Sequence, residues 1–172
     1  MTTVVSRLLE EHDLIRRFSS VLEWLSIRLG SGAGIDEDFA QALLSMLSFV
    51  EGCHHAKEEQ VLFPALANVA GASSLVDDAV ADHREFSSLA SRIRDSISSG
   101  DLRAASDACS LASSLLKRHI SWEEAGLFAM AEASLPDNVK EDLSRRLAEY
   151  GGCSPEAVSR DLDLLYKAMG GD

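Results

Sequence analysis

The fold of this chain is decided by two segments, HHAKEEQVLFP (residues 54–64) and HISWEEAGLF (residues 119–128). Each segment places a glutamate four residues after a histidine, as His54 with Glu58 and His119 with Glu123. A helix turns about 100° per residue, so the two side chains of each pair share one helix face. The remaining positions of these faces are apolar: Leu43, Leu47, Val50, Val61 and Ala65 on the first, and Ala108, Ala112, Leu115, Leu116, Leu127 and Met130 on the second. Both pairs are therefore predicted to point into a helical core.

Two further histidines, His12 and His83, also lie on apolar helix faces. The neighbours that share their faces are Val5, Leu8, Leu9 and Ile15 for the first, and Val76, Ala79, Val80, Phe86, Ala90 and Ile93 for the second. Burying unpaired imidazoles and carboxylates costs free energy, which a cation shared between them would offset. Mixed nitrogen and oxygen donors without thiolates suit iron or manganese better than calcium or structural zinc.

Glycine clusters divide the chain into helical stretches, and nothing in it reads as an alternating strand. We predict four long helices and then two short ones, at about residues 3–29, 36–69, 75–99, 101–134, 136–150 and from 154 onward. Asp36, Ser74, Asp101 and Ser154 are the predicted N-caps, and Pro64 is expected to kink or end the second helix. The predicted fold is all-α. It is an up-down four-helix bundle over residues 1–134, with a C-terminal helical extension, residues 135–172, packed on the bundle.

Charge and composition exclude several classes of partner. Lys and Arg number 16 against 28 Asp and Glu, which gives a net charge of -12 over 172 residues. This balance argues against nucleic acid and against an anionic membrane surface. No basic-then-apolar leader follows Met1, and no apolar run approaches the roughly 20 residues of a membrane span. Cys53, Cys109 and Cys153 form no metal or redox motif, so we expect reduced thiols and a cytoplasmic location.

The two quoted segments, with Glu-Glu-His12 and Asp82-His83-Arg84, resemble the hemerythrin/HHE cation-binding family from about Ser6 to Glu132. The resemblance implies a four-helix bundle with a non-haem di-iron centre, so that two iron ions are the expected cofactor. It implies that Glu58 and Glu123 bridge the two ions. It also implies that the terminal ligands are His12, His54, His83 and His119.

One departure from the family concerns the third helix. Oxygen-carrying members supply two histidines one turn apart from that helix, whereas this chain has only His83, with Ala79 and Ser87 at the flanking positions. His55 is the only histidine left to complete the ligand set, and it is rotated about 100° from His54. Its helix face, with Ser48 and Glu51, is the more polar one. His55 is therefore either a metal ligand or a surface or supporting residue, and the sequence favours neither. Glu59 and Glu124 are expected to be solvated.

The resemblance implies binding of a small diatomic gas such as O2 or NO, or of peroxide, in gas or redox sensing, oxygen binding or iron homeostasis. The alternative is a di-iron enzyme, which would disproportionate peroxide or act as an oxidase, or a protein that repairs iron–sulfur centres. We favour a binding protein and leave enzymatic turnover open. A sensor would act through a homodimer or a protein partner. A metal-free structural bundle is disfavoured, because it leaves two buried carboxylates unexplained.

Overall fold

The structure is a computed structural model that describes residues 4–151 and 154–170. Within these residues every regular element is helical, which confirms the predicted all-α class. The helices are α1 (Ser6–Gly30), α2 (Glu37–Phe49), α3 (Phe63–Leu66), α4 (Ala72–Ser99), α5 (Leu102–Glu123), α6 (Ala129–Ser134), α7 (Asp137–Glu149) and α8 (Pro155–Ala168). None of the described helices is long and apolar enough to cross a membrane.

Two of the four bundle helices are interrupted by π-helical turns. The second, called here the α2–α3 rod, runs from α2 through π-helical turns at Val50–His55 and Glu58–Leu62 into α3. The fourth, the α5–α6 rod, contains one such turn at Glu124–Phe128. The sequence predicted a departure from regular helix at Pro64, but the departure begins earlier, at Val50. Turns of this kind close with an i→i+5 hydrogen bond, and they are frequent at functional sites.

Three of the four predicted N-caps are confirmed. Asp36 accepts a hydrogen bond from the backbone N–H of Phe39 at 2.8 Å, and Asp101 does the same for Ala104 at 3.0 Å. The Ser154 side chain likewise caps α8. The prediction for Ser74 is wrong, because α4 begins at Ala72, three residues earlier than predicted, with Gly71 at its N-cap position. Gly71 has φ 82°, a left-handed conformation that glycine adopts without steric cost, and it turns the chain into α4.

The apolar core consists of two clusters, and each long helix contributes to both. One cluster includes Phe18, Leu22, Leu43, Leu47, Phe86 and Leu116, and the other includes Leu8, Leu62, Phe63, Leu66, Leu127 and Phe128. Along α1 and α4 the chain passes from the second cluster to the first. Along the α2–α3 and α5–α6 rods it passes from the first to the second. The helices therefore alternate in direction, as an up-down bundle requires.

The two C-terminal helices pack on opposite clusters of the bundle. Val158, Leu162 and Leu165 of α8 belong to the first cluster, and α8 lies mainly against α2. Leu143 and Leu147 of α7 belong to the second cluster. The extension thus buries apolar side chains against the bundle at both ends of its core.

Two of the three cysteines lie within the described residues. Cys109 is a buried free thiol, and burial raises its pKa to about 12. Cys53 is buried and disulfide-bonded, so the expectation of reduced thiols is wrong for this residue. Cys153 lies outside the described residues.

Candidate metal centre

Seven side chains predicted from the sequence meet in one layer between the two apolar clusters. His12 comes from α1 and His83 from α4, whereas His54, His55 and Glu58 come from the α2–α3 rod and His119 and Glu123 from α5. All seven are buried, and the least buried is His55, at 4% exposure. The structure therefore brings every predicted site residue to one place.

The donor atoms of these residues form two groups that share both carboxylates. We call His12, His54, Glu58 and Glu123 the inner group, and His83, His119 and the same two glutamates the outer group. Within each group, one donor atom from every residue lies within 4.8 Å of the others. His55 forms a third set with His83 and His119 under the same limit, so it adjoins the outer group.

The two glutamates span the space between the groups. Glu58 places Oε1 3.2 Å from Nε2 of His54 and Oε2 3.4 Å from Nε2 of His83. Oε2 of Glu123 lies 3.3 Å from Nε2 of His119 and 3.5 Å from Nε2 of His12. Each carboxylate thus contacts a histidine of the inner group and one of the outer group, which is the arrangement that two bridging ligands need.

Many of these donor atoms have no hydrogen-bond partner. Both oxygens of Glu58 and of Glu123 are buried and unsatisfied, as are Nε2 of His12, His54 and His55. Buried polar groups in proteins almost always have partners, and an uncompensated buried carboxylate costs several kcal/mol. Imidazole nitrogens and carboxylate oxygens directed at a common point, without thiolates, match the ligand preferences of iron and manganese. The residues present therefore fit a pair of cations.

The π-helical turn explains why both His54 and His55 point inward. An i→i+5 turn contains more residues than an α-helical turn, so consecutive side chains are separated by less than the usual 100°. The His55 ring stacks on that of His83, with centroids 3.8 Å apart and planes at 8°. His55 is therefore buried although its helix face is predicted to be the more polar one, and Ser48 on that face is exposed.

Each of the four remaining histidines has a carboxylate at its outward nitrogen, Nδ1. His12 contacts Glu124 at 2.9 Å, His54 contacts Glu11 at 3.1 Å, His83 contacts Glu59 at 2.8 Å and His119 contacts Asp82 at 3.4 Å. The last contact lacks hydrogen-bond geometry and is an ion-pair distance only. An Nδ1–H that donates to a carboxylate leaves the lone pair of Nε2 facing the centre, which is the tautomer that a metal ligand needs.

The supporting role of these four carboxylates is not among the sequence predictions. Glu59 is exposed, as expected, with its side chain 42% accessible, whereas the Glu124 side chain is only 27% exposed, and each accepts a hydrogen bond from a histidine of the centre. A signal was present, because each of the four directly adjoins one of the seven site residues in sequence: Glu11 precedes His12, Asp82 precedes His83, Glu59 follows Glu58 and Glu124 follows Glu123.

Three of the supporting carboxylates are themselves paired with a cation. Glu11 contacts the buried Lys57, Glu124 contacts Arg16 at 2.5 Å, and Asp82 contacts Arg118 at 2.8 Å. Glu59 differs from these three, since the described part of the chain offers it no lysine or arginine within ion-pair distance. Glu59 is also the most exposed of the four.

The pKa values in the centre indicate that its buried carboxylates favour a proton on a neighbouring histidine. Burial alone would lower the pKa of His12, but its contacts with Glu123 and Glu58 raise that pKa to about 10. Burial would raise the pKa of Glu123, yet His119 and His12 hold it well below its ordinary value. Burial and the neighbouring imidazoles keep the pKa values of His54 and His55 well below 6.5. A proton on His12 partly offsets the glutamate charges that two metal cations would offset fully.

Comparison with known proteins gives one match. The sequence profile described as the hemerythrin HHE cation binding domain matches residues 3–131. That region runs from the start of the bundle into α6 and contains all seven residues of the centre, whereas α7 and α8 lie beyond it. No curated protein and no solved structure matches the chain.

Proposed function

The chain belongs to the hemerythrin HHE cation-binding domain family, and we propose that it binds two iron ions side by side, bridged by Glu58 and Glu123. His12 and His54 would hold the inner ion. His83 and His119 would hold the outer ion, with His55 as its third histidine. The observation that carries this proposal is that the two donor groups share both carboxylates, whose four oxygens are buried without a partner.

The number of donors supports two ions rather than one. Five imidazoles and two carboxylates exceed the six positions of a single octahedral shell. The supporting carboxylates increase the basicity of the ligating imidazoles, and such contacts commonly change metal affinity by about 10- to 100-fold. Iron is preferred over zinc because the donor set lacks the thiolates of structural zinc sites, and because the outer group with His55 offers five donors where tetrahedral zinc takes four.

We propose that the iron pair serves to bind a small molecule, a diatomic gas such as O2 or NO, or peroxide, in sensing, oxygen binding or iron homeostasis. Bound iron would supply redox chemistry and open coordination positions. The protein contributes an apolar enclosure: Phe128 stacks on His12 at 5.0 Å, Phe63 stacks on His83 at 5.8 Å, and Phe86 meets the edge of His55. These rings limit the space beside the imidazoles and favour small ligands over larger substrates.

The proposal is tested by elemental analysis of protein purified without added metal, followed by anaerobic Fe(II) titration and absorption spectra in air and with peroxide. Two ions per chain and a spectrum that changes with oxidant are expected. One tightly bound zinc, with no capacity for a second ion, would refute the dinuclear centre. Sustained loss of peroxide over many turnovers would instead support the alternative function, a di-iron enzyme.

A further inference from the structure

An open cleft of about 400 Å³ lies beside the outer group of ligands, between the α2–α3 rod and α4. Its lining residues are Glu51, His55, Ala56, Glu59, Gln60, His83, Arg84 and Ser87. A water molecule occupies roughly 30 Å³ in the liquid, so the cleft has room for an ion with several of its waters. His55 and His83 therefore lie between the other ligands of the candidate metal centre and this solvent-filled cleft.

The histidines of the inner group do not border this cleft. His12 and His54 have no exposed surface and do not line the cleft. The Phe128 ring covers the face of His12, with planes at 10°. Glu11, behind His54, is itself buried and held by Lys57. An ion in the inner position would therefore be surrounded by buried side chains, whereas an ion in the outer position would lie beside the cleft.

The charges in the cleft single out Glu59. Glu51 is already committed to Arg94, at 2.5 Å, and Arg84 adds a positive charge at the rim. Oε1 of Glu59 accepts from Nδ1 of His83, while the carboxylate remains 42% exposed and has no lysine or arginine partner in the described residues. Glu59 therefore joins the solvent in the cleft to an outer ligand, and its exposed carboxylate oxygen can attract a cation.

The position of His55 is a second observation that points to a cation as the ligand. Nε2 of His55 is buried without a hydrogen-bond partner, although the His55 ring lines the cleft. On the opposite wall α4 presents Ser87, a small and partly exposed side chain that leaves the approach open. A neutral imidazole and a carboxylate at the end of an open path are donors for a divalent cation.

We propose that the outer ion is loaded and released through this cleft, with Glu59 as the first carboxylate that receives it, while the inner ion is retained. This inference rests on the proposed dinuclear centre. It adds that the two positions exchange metal at different rates, and that access to the outer one is controlled by the α2–α3 rod and α4.

The test compares Ser87→Trp, which fills the cleft, with Ser88→Trp, which adds the same side chain to the exposed neighbouring position. Both proteins and the wild type are loaded anaerobically with Fe(II), and release to a ferrous chelator is followed with time. The wild type should release one ion quickly and the other slowly. Ser87→Trp should slow the fast phase about tenfold, a barrier increase of about 1.4 kcal/mol, and Ser88→Trp should not. Gln60→Trp fills the cleft from the opposite wall and should repeat the effect if Ser87→Trp misfolds.

The outcomes separate this inference from the proposed function. If the wild type binds two ions but both cleft variants release them at wild-type rates, the access route is refuted and the dinuclear centre stands. Release of both ions in one phase from the wild type would also overturn it. If the wild type does not bind two ions, the proposed function itself fails.

Discussion

The two carboxylates at the middle of the centre and the four around it have different roles. Glu58 and Glu123 have no exposed surface, and their oxygens face histidines of both groups. Where the four supporting carboxylates contact a histidine, they contact its outward nitrogen, Nδ1. Adjacent residues such as Glu123 and Glu124 thus lie in successive shells around the proposed metal pair, which makes them matched controls for each other.

Glu123→Ala should abolish dinuclear binding, whereas Glu124→Ala should only weaken it. Glu123 is the shared ligand of both positions, so its loss removes a donor from each ion. Glu124 only orients His12, and removing such a contact lowers metal affinity by about 10- to 100-fold. Fe(II) stoichiometry and titration midpoints of the two variants provide the measurement, and Glu58→Ala with Glu59→Ala repeats it on the α2–α3 rod. Equal loss of metal in all four variants would contradict the distinction between the two shared ligands and the two supporting carboxylates.

Lys57 is a buried lysine whose charge is compensated by Glu11. Lys57→Met should destabilise the fold by about 3–5 kcal/mol, because it leaves the buried Glu11 without its cation. Lys117 pairs with Glu23 in a largely exposed contact, so Lys117→Met should change stability by less than about 1 kcal/mol.

Urea unfolding of the metal-free proteins measures the change in folding stability that each lysine substitution causes. A Lys57→Met variant as stable as Lys117→Met would show that Glu11 does not need its partner. Since Glu11 contacts His54, the loaded Lys57→Met protein should also hold its inner ion less tightly than the wild type.

At the scale of helices, periodicity and capping chemistry predicted most of the fold. Apolar spacing identified the four long helices, and Asp36 and Asp101 were recognisable as caps from local side-chain chemistry. The π-helical turns at Val50–His55 and Glu58–Leu62 were not predictable, because a 100° periodicity assumes regular α-helix. That assumption placed His54 and Glu58 correctly and left His55 undecided.

The contacts of the supporting carboxylates with histidines could not be predicted from single helices. A side chain one residue from a ligand is rotated away from the core, so Glu59 and Glu124 were assigned to solvent. Both reach back to a histidine on another helix, His83 and His12. These contacts depend on how the helices pack against each other, and the residue pattern of a single helix does not predict that packing.

The π-helical turn leads to a prediction for His55. His55→Ala should keep the fold but weaken the outer metal position, because His55 adjoins His83 and His119 and not the inner group. His54→Ala should weaken the inner position instead. Iron stoichiometry and the absorption spectrum of the two variants, side by side, distinguish these effects. Full iron content and an unchanged spectrum in His55→Ala would show that His55 is not a ligand.

Across the whole molecule, the polar layer lies between two apolar clusters and crosses all four bundle helices. The apolar clusters stabilise the bundle at both ends, while the middle contains buried charges that oppose folding unless they are compensated. Metal bound only by the folded chain adds RT ln(1 + [L]/Kd) to its stability, about 2.7 kcal/mol at a hundredfold excess over Kd. Metal and folding are therefore coupled through the centre of the bundle.

The shifted pKa values of the buried histidines predict that the metal-free protein is most stable near pH 6.5. His12 has a folded pKa of about 10 against an ordinary value of 6.5, so its contribution is complete below pH 6.5 and is lost as the pH rises towards 10. His83 acts in the same direction. His54 and His55 have depressed pKa values, so the unfolded chain binds more protons below pH 6.5 and stability falls as the pH is lowered.

Loading with metal should remove the alkaline part of this profile. Ligated histidines are deprotonated, so the folded, metal-bound protein has no proton on His12 to lose above pH 6.5. Urea midpoints measured from about pH 5 to about pH 10 for metal-free and loaded protein provide the comparison. His12→Gln in the metal-free form should also reduce the alkaline decline, because the raised pKa of His12 is its main source. A metal-free profile that is flat or rising above pH 6.5 would mean that the buried glutamates are not neutralised by the histidine proton. The electrostatic reason for placing cations between Glu58 and Glu123 would then be lost.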